Sequence, residues 1–422
     1  MKPGTGRRGT RMAILTTRNT RRLSAVFSAL GALAITSATF APEAAAIDVQ
    51  SKEWYLDAMG ADDIWKISTG KGVKVAVIDS GVNSATSALK GQVLVDEVPK
   101  SVAYHVTHDK DGHGTSMAEI IAGTGAGGGI KGLAPGAKII PFRIDGGDLR
   151  GAEIGRTPDV ATAIRAAADS EAKIINMSFG APQFSEQEQA AVKYAVSKGK
   201  LIFAAIGNEG DKTNYEAYPA NYPGVVGVSA IDKSGTVAKF STFGDYVDLA
   251  APGLHIPSWC NGRFTEYCDS DGTSPASAIA SASAALVWSA HPDWTANQVL
   301  RTLIDTAGRS WPKDEPSKYL GYGGIRPRRV LINKDINPGP ADVDPLAKEN
   351  GDGASATPSP SGKSPTGKPT KDAGSADGPT SAAAQDTGSG GDTQTWVIIG
   401  AVAAVLLVGG AGFAVLRARR NA

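Results

Sequence analysis

The stretch VKVAVIDSG at residues 73–81 decides the fold of this chain. A run of mostly β-branched apolar residues leads directly into Asp79, which a serine and a glycine follow. Apolar side chains at consecutive positions are typical of a parallel strand that is covered on both faces. Ligands of such sheets bind where the strands end, so Asp79 is a candidate functional group. Taken alone, it fits a turn or a helix cap equally well.

Short apolar runs like this one recur along the chain and alternate with longer amphipathic stretches. Ser185 with Glu188, and Thr295 with Gln298, have the spacing of helix capping boxes. The alternation predicts an α/β fold with a mostly parallel central sheet. The predicted strands are residues 73–78, 138–142, 173–177, 201–205, 225–229 and 247–250.

Two glycine-framed motifs supply further candidate groups. His113 lies in DGHGT (residues 111–115) at the predicted start of a helix, and Ser274 lies in DGTSPA (residues 271–276). Pro275 suits the first position of a helix, which would put Ser274 at a helix N-terminus. Singly, a packed histidine and a helix-capping serine are the commoner interpretations. Asp, His and Ser in this chain order are together far more specific.

These motifs, with AAIGNEG at residues 204–210, resemble the subtilase family of serine peptidases over about residues 54–332. The resemblance implies a subtilisin-like three-layer fold and a catalytic triad of Asp79, His113 and Ser274. In that triad the serine attacks the peptide carbonyl, the histidine moves the proton, and the aspartate orients the imidazole.

The same resemblance assigns residues that bind the substrate. Asn208 and the backbone N–H of Ser274 would form the oxyanion hole. Ser178, Phe179 and Gly180 would pair with the substrate backbone as an added strand. Without the other motifs, Asn208 would be interpreted as a turn residue.

One departure from the family pattern concerns the residues after the serine. Subtilases usually have an apolar residue there and a proline four positions after the serine. Here Pro275 follows Ser274 directly, and Ala278 occupies the later position. The departure leaves the chemistry of Ser274 intact but puts the leaving-group side of the site in question.

Cofactor chemistry has little support in the sequence. Cys260 and Cys268 lie in a region expected to be exported, and a disulfide just before Ser274 is the natural interpretation; free thiols or a metal site fit less well. His105, His108, Asp109 and Asp111 suggest a metal cluster only weakly. Subtilases often bind calcium, but no ligand loop can be assigned here, so no cofactor is expected.

Composition bounds the class of protein. The 43 basic and 42 acidic residues give a net charge of +1, without the basic surplus of a nucleic-acid binder. We expect no nucleic-acid partner. Between about residues 337 and 395 the sequence is rich in Pro, Gly, Ser, Ala and Thr, which favours a disordered, flexible stalk over a small folded domain.

Both ends carry membrane signals. Residues 1–46 have an arginine-rich start, an apolar stretch and small residues at 44–46, which predicts a cleaved export signal; an uncleaved anchor is the alternative. Residues 396–416 are uncharged and long enough to cross a bilayer, and the basic tail 417–422 places the C-terminus in the cytoplasm. A buried core helix is the other interpretation of 396–416. The peptidase domain, residues 47–336, would then be extracellular on a single-pass protein of the cell membrane.

This layout resembles the mycosins, membrane-anchored subtilases associated with type VII secretion. The resemblance implies an endopeptidase that acts on polypeptides of, or exported by, a secretion system and that associates with its membrane complex. The alternative is a scaffold that stabilises such a complex with secondary or no catalysis. A surface-processing protease unrelated to secretion is a weaker third option.

Overall fold

The computed structural model describes residues 49–147 and 149–351. Six strands form its central sheet: β1 Lys74–Asp79, β2 Lys138–Arg143, β3 Ile174–Met177, β4 Leu201–Ala205, β5 Val225–Ile231 and β6 Leu249–Pro252. All pair in parallel, in the order β2–β1–β3–β4–β5–β6. The predicted α/β fold with a mostly parallel central sheet is confirmed. The sixth strand begins two residues later than predicted, because the N–H of Val247 donates to Gly244 in a turn.

Helices and one hairpin complete the described part of the chain. The α-helices are α1 Trp54–Met59, α2 Ala61–Trp65, α3 His113–Ala122, α4 Val160–Asp169, α5 Glu186–Ser197, α6 Thr273–Ala290, α7 Ala296–Thr306, α8 Pro327–Leu331 and α9 Ala347–Asn350. Short 3-10 helices occur at Val49–Lys52, Val95–Glu97, Lys100–Val102, Ala126–Gly128 and Gly151–Glu153. Strands β7 Ile256–Trp259 and β8 Tyr267–Ser270 form an antiparallel hairpin just before α6.

Alternate residues of strands β1 to β5 enter two separate apolar cores. In β1, Val75 and Val77 pack with α3, α6 and α7, whereas Ala76 and Ile78 pack with α4 and α5. Burial of both faces explains the continuous apolar strands in the sequence. The result is three layers, with helices above and below the sheet.

The start of α6 differs from the sequence prediction. The helix begins at Thr273, so Pro275 is its third residue and not its first. Proline is tolerated there because the first turn of a helix has N–H groups without an intrahelical partner. Ser274 therefore lies within the first turn, with Gly272 in an extended conformation before it.

The folded part also continues beyond the expected boundary at residue 336. Leu346 is 2% exposed and belongs to the core, and the side chain of Asn350 accepts the N–H of Gly224 at 2.8 Å. Tyr322 bonds Glu349. Residues 337–351 are thus held on the domain by one leucine and a few side-chain hydrogen bonds. The polar, proline-containing composition of this segment does not predict such contacts. The predicted stalk, residues 337–395, is packed on the domain as far as residue 351.

Within the described residues, no helix is both long and apolar enough to span a bilayer. The predicted export signal at 1–46, the membrane helix at 396–416 and the basic tail at 417–422 lie outside those residues.

Candidate active site

Asp79 ends β1 and holds the ring of His113. Its side chain is 4% exposed, and its Oδ1 lies 2.7 Å from His113 Nδ1 and accepts the N–H of Ser80 at 2.8 Å. A side chain at Gly114 would place its Cβ 2.2 Å from the carbonyl oxygen of Gly81, which explains the glycine after the histidine. Because Nδ1 is engaged by Asp79, Nε2 is the ring nitrogen that is available for proton transfer.

Two further carboxylates surround this pair. Ser80 Oγ lies 2.9 Å from Asp109 and 3.0 Å from Asp111, and Asp111 Oδ1 accepts the N–H of His113 at 2.8 Å. Burial raises the pKa of Asp109 to about 6 despite hydrogen bonds from Thr115. Burial also acts to raise the pKa of Asp111, but hydrogen bonds from His113, Asp109 and Ser80 outweigh it and lower that pKa. Asp111 therefore ionises at a lower pH than Asp109.

These charges act on the imidazole of His113. Burial lowers its pKa, but the charge and hydrogen bond of Asp79, with the charges of Asp111 and Asp109, raise it to about 9 overall. The side chain is 39% exposed, so solvent screens part of this effect. A raised pKa favours the imidazolium, the state that forms when the histidine takes a proton from a nucleophile.

We expect the pH profile of peptide hydrolysis to report this environment. A general base must be neutral, so kcat/KM should rise with pH through a midpoint well above the usual histidine value of about 6.5 and towards 9. Asp111→Asn removes one charge that favours the imidazolium and should lower the midpoint by up to about one unit. Rates on an uncharged peptide between pH 5 and 11 measure it, with the exposed Asp335→Asn as the control. A midpoint near 6.5 in the wild type would contradict the assignment.

Ser274 is fixed against the end of β3. Its Oγ donates to the carbonyl oxygen of Ser178 at 2.8 Å, and Ser178 Oγ donates to the carbonyl oxygen of Ser274 at 3.0 Å. A hydroxyl has one proton to donate, so in this conformation it is not donated to His113. The structure thus brings Asp79 and His113 into contact and places Ser274 in the same cleft, with its hydroxyl turned to the strand.

A buried polar network beneath Ser274 was not predicted. Asn176 is fully buried in β3; its Nδ2 donates to Ser178 Oγ at 2.9 Å, and its Oδ1 accepts from Ser277 at 3.1 Å and Ser281 at 3.0 Å. Buried amides need such partners, and these tie β3 to α6. The available signal was an asparagine inside an apolar strand and two serines four residues apart in an apolar helix.

Asn208 is oriented by the first residue of α6. Its Oδ1 accepts the backbone N–H of Thr273 at 2.9 Å and the Thr273 hydroxyl at 3.0 Å. Both bonds go to the carbonyl oxygen, so the amide N–H₂ is left to donate. Asn208 and Ser274 line one cleft.

The hairpin β7–β8 forms the far wall of that cleft. Cys260 and Cys268 are joined in a disulfide across the hairpin, and the ring of Trp259 stacks on Tyr267 at 3.8 Å. The Tyr267 hydroxyl donates to Glu119 on α3 at 2.9 Å, and burial raises the pKa of Glu119 to about 7. The cleft has a volume of about 330 Å³ and lies between this hairpin and the N-termini of α3 and α6.

The predicted substrate segment lies beside Ser274. Ser178 is 2% exposed and is occupied by the bonds described above, Phe179 packs against the core of α4 and α5, and Gly180 is exposed. Beyond Gly180, Ala181 pairs with Tyr218 as an antiparallel bridge. Gly180 is thus the member of the three whose backbone is open to an added strand.

Among the described residues, no group of three or more His, Cys, Asp or Glu side chains is arranged to hold a metal ion. His105 and His108 lie with ring centroids 4.3 Å apart. Asp109 and Asp111 instead contact Ser80 and the backbone around His113.

The chain is similar in sequence to known subtilases. The profile Peptidase_S8, the subtilase family, matches residues 70–323. Subtilisin NAT from Bacillus subtilis subsp. natto is 36% identical over 241 residues, which are 57% of this chain and 61% of that protein. Subtilisin E from Bacillus subtilis (strain 168) matches equally well, with the same coverage. The chain therefore matches less than two thirds of the length of these subtilisins.

Solved structures give the same result for the fold. A crystal structure of MycP1 with the N-terminal propeptide removed has a TM-score of 0.56 and 30% identity, over 68% of this chain and 99% of that one. MycP1 from Mycobacterium smegmatis has a TM-score of 0.53 and 27% identity, with coverages of 68% and 86%. The MycP3 protease from the type VII (ESX-3) secretion system has a TM-score of 0.53 and 30% identity, with coverages of 66% and 87%.

Proposed function

Because the chain belongs to the subtilase family, we propose that it is a serine endopeptidase with Asp79, His113 and Ser274 as its triad. The observation that carries the proposal is the 2.7 Å contact between Asp79 and His113, beside a cleft that His113, Ser274 and Asn208 line together. An aspartate, an imidazole and a serine in this relation are the parts that acyl transfer needs.

The first chemical step requires a rotation of Ser274. Its hydroxyl turns from the carbonyl of Ser178 towards Nε2 of His113, which takes the proton as Oγ attacks the peptide carbonyl. His113 then gives the proton to the leaving amine, so the peptide C–N bond breaks and an acyl-enzyme ester remains. Water, deprotonated by the same imidazole, hydrolyses the ester and releases Ser274.

The negative charge of the tetrahedral intermediate falls between two donors. One is the amide N–H₂ of Asn208, fixed in direction because its Oδ1 is held by Thr273. The other is the backbone N–H of Ser274, in the first turn of α6, where the helix dipole also favours negative charge. Donors that are oriented before reaction need no reorganisation as the charge develops.

The acyl side of the substrate pairs with the chain after β3. The exposed backbone at Gly180 accepts an extended peptide as an added strand, which binds main chain with little demand on side chains. The peptide carbonyl then lies beside Ser274, because Ser178 and Ser274 are hydrogen-bonded to one another.

The cellular role proposed here rests on the similarity to MycP1 and MycP3. The protein is anchored in the cell membrane by residues 396–416, with its peptidase domain outside, and it processes polypeptides of, or exported by, a type VII secretion system. Two features support the topology: the uncharged sequence at 396–416 and the basic tail that follows it.

A fluorophosphonate probe tests the proposed function directly. We expect purified full-length protein to be labelled covalently and Ser274→Ala to remain unlabelled, because only an activated serine attacks such a phosphorus centre. Intact-mass and peptide mass spectrometry locate the adduct.

If folded wild type is not labelled while subtilisin is labelled in parallel, the peptidase assignment is wrong. The secretion scaffold then becomes the leading function. The bond from Ser274 to Ser178 is the observation that favours this outcome, since it keeps the hydroxyl away from the imidazole.

A further inference from the structure

The cleft beside the catalytic residues extends away from the substrate strand. Its lining includes His113, Ser274, Asn208 and Pro275, but none of residues 178–180. The leaving amine must lie next to Nε2 of His113 to receive its proton. The cleft is therefore on the leaving-group side of the scissile bond, where the first residue of the departing peptide is bound.

Apart from the catalytic histidine, the charged side chains that line this cleft are carboxylates. Asp111 and Asp271 line it, and no lysine or arginine is among its lining residues in the described part of the chain. Asp271 is exposed and accepts the N–H of His255 at 2.7 Å through Oδ1. Lys110, the neighbouring cation, is paired with Glu153 at 2.6 Å. An incoming cation thus meets carboxylates without a competing lysine or arginine in the lining, and His113 is neutral in the form that acts as general base.

A buried polar atom on the same wall has no partner. Ser258 is 7% exposed and lines the cleft, and its Oγ is buried without a hydrogen bond to any described residue. A buried hydroxyl without a partner costs free energy, so such groups are normally satisfied by protein, water or ligand. Rotation about the Cα–Cβ bond of Ser258 would turn this hydroxyl to the cleft, where it can accept a hydrogen bond from a side chain that enters.

The wall that carries Ser258 is rigidly held. The backbone N–H of the adjacent Trp259 donates to Ser116 Oγ on α3 at 2.8 Å, and the Cys260–Cys268 disulfide links the two strands of the hairpin. Tyr267 anchors the other strand to Glu119. Ser258 and the catalytic histidine therefore stand on elements that are bonded to each other, which fixes the width of the cleft.

We infer that this cleft binds a lysine or arginine side chain at the position directly after the scissile bond. The cation lies between the carboxylates of Asp111 and Asp271 and donates to Ser258 Oγ, while its aliphatic stem packs on Trp259 and Pro275. The inference rests on the proposed peptidase function and specifies its substrate class: polypeptides cleaved on the N-terminal side of a basic residue. An acidic residue there is repelled by both carboxylates.

The test uses the full-length protein and internally quenched peptides that differ only in the residue after the scissile bond. Lysine, arginine, norleucine and glutamate are compared, since norleucine matches the lysine stem without its charge. We expect kcat/KM to be about tenfold higher for lysine or arginine than for norleucine, and lower still for glutamate. Mass spectrometry of the products verifies that all peptides are cut at the same bond.

Two variants locate the effect in the cleft. Asp271→Asn should lower the lysine-to-norleucine ratio about threefold, and Ser258→Ala about twofold without any change in charge. Asp269→Asn is the matched control: it removes the same charge two residues earlier, in β8, but its carboxylate faces Lys52 and His255. It should leave the ratio unchanged.

A ratio near one, or a ratio that neither Asp271→Asn nor Ser258→Ala alters, would overturn the inference while hydrolysis itself still supports the peptidase. A protein that cuts none of the peptides and does not react with the fluorophosphonate probe would overturn the peptidase function and the inference together. A protein that reacts with the probe and cuts only the norleucine or glutamate peptide would overturn the inference alone.

Discussion

Replacing Ser274 by alanine is expected to lower kcat for peptide hydrolysis by about 10⁶-fold. The reason is that Ser274, the proposed nucleophile, lies in the first turn of α6 in the cleft that it lines together with His113 and Asn208, and alanine has no hydroxyl to attack the peptide carbonyl. Loss of the nucleophile in subtilisin itself costs about 2 × 10⁶-fold in kcat, and the residual rate comes from the oxyanion hole and binding. Initial rates with a quenched peptide measure the loss, and unchanged KM would show that binding persists.

The control for this variant is Ser283→Ala, on the same helix. Ser283 is fully buried, and its Oγ donates only within the helix, to Ile279 at 2.8 Å. Both variants should fold, but only Ser274→Ala should lose activity. Less than a tenfold loss in Ser274→Ala would exclude this serine as the nucleophile.

Asp79→Asn should lower kcat by about 10⁴-fold with the fold intact. An amide at this position no longer stabilises the imidazolium and favours the wrong tautomer of His113, because it can donate to Nδ1. It also removes the strongest favourable charge near the ring, so the residual activity should depend on pH with a lower midpoint than in the wild type. Stopped assays at high enzyme concentration between pH 5 and 11 measure both effects.

Asp335→Asn, at an exposed site, controls for the change in charge. An Asp79→Asn protein that keeps wild-type kcat, or keeps the wild-type midpoint, would show that the 2.7 Å contact with His113 has no catalytic role.

The fold was predictable because its strands are buried on both faces. Residues 73–78 and 201–205 have no polar face, and a parallel sheet covered on both sides accommodates this pattern. The helix cap at Thr295 was also predictable, because both hydrogen bonds of its capping box join Thr295 to Gln298, three residues away. At Ser185 only one half of the capping box forms: the Ser185 hydroxyl accepts the N–H of Glu188. The Glu188 carboxylate instead accepts from the hydroxyl of Tyr222, a distant residue that the local pattern does not include.

The finer arrangement of the site depends on contacts between distant segments. The bond between Ser274 and Ser178 joins residues 96 positions apart, and the one between Tyr267 and Glu119 spans 148. No local spacing encodes such pairs. The roles of Ser80 and Asp109 were missed for the same reason, because Ser80 meets the acidic residues only after β1 and α3 are in place.

A load pulled along the chain from beyond residue 351 would enter the domain through residues that do not line the cleft of His113 and Ser274. The first contacts to carry this force are the hydrogen bond between Asn350 and Gly224, just before β5, and the packing of Leu346 in the apolar core. These few contacts hold less than the hydrogen-bonded sheet, so we expect them to break first under tension. The segment from 337 to 351 would then lengthen while the contact between Asp79 and His113 is kept.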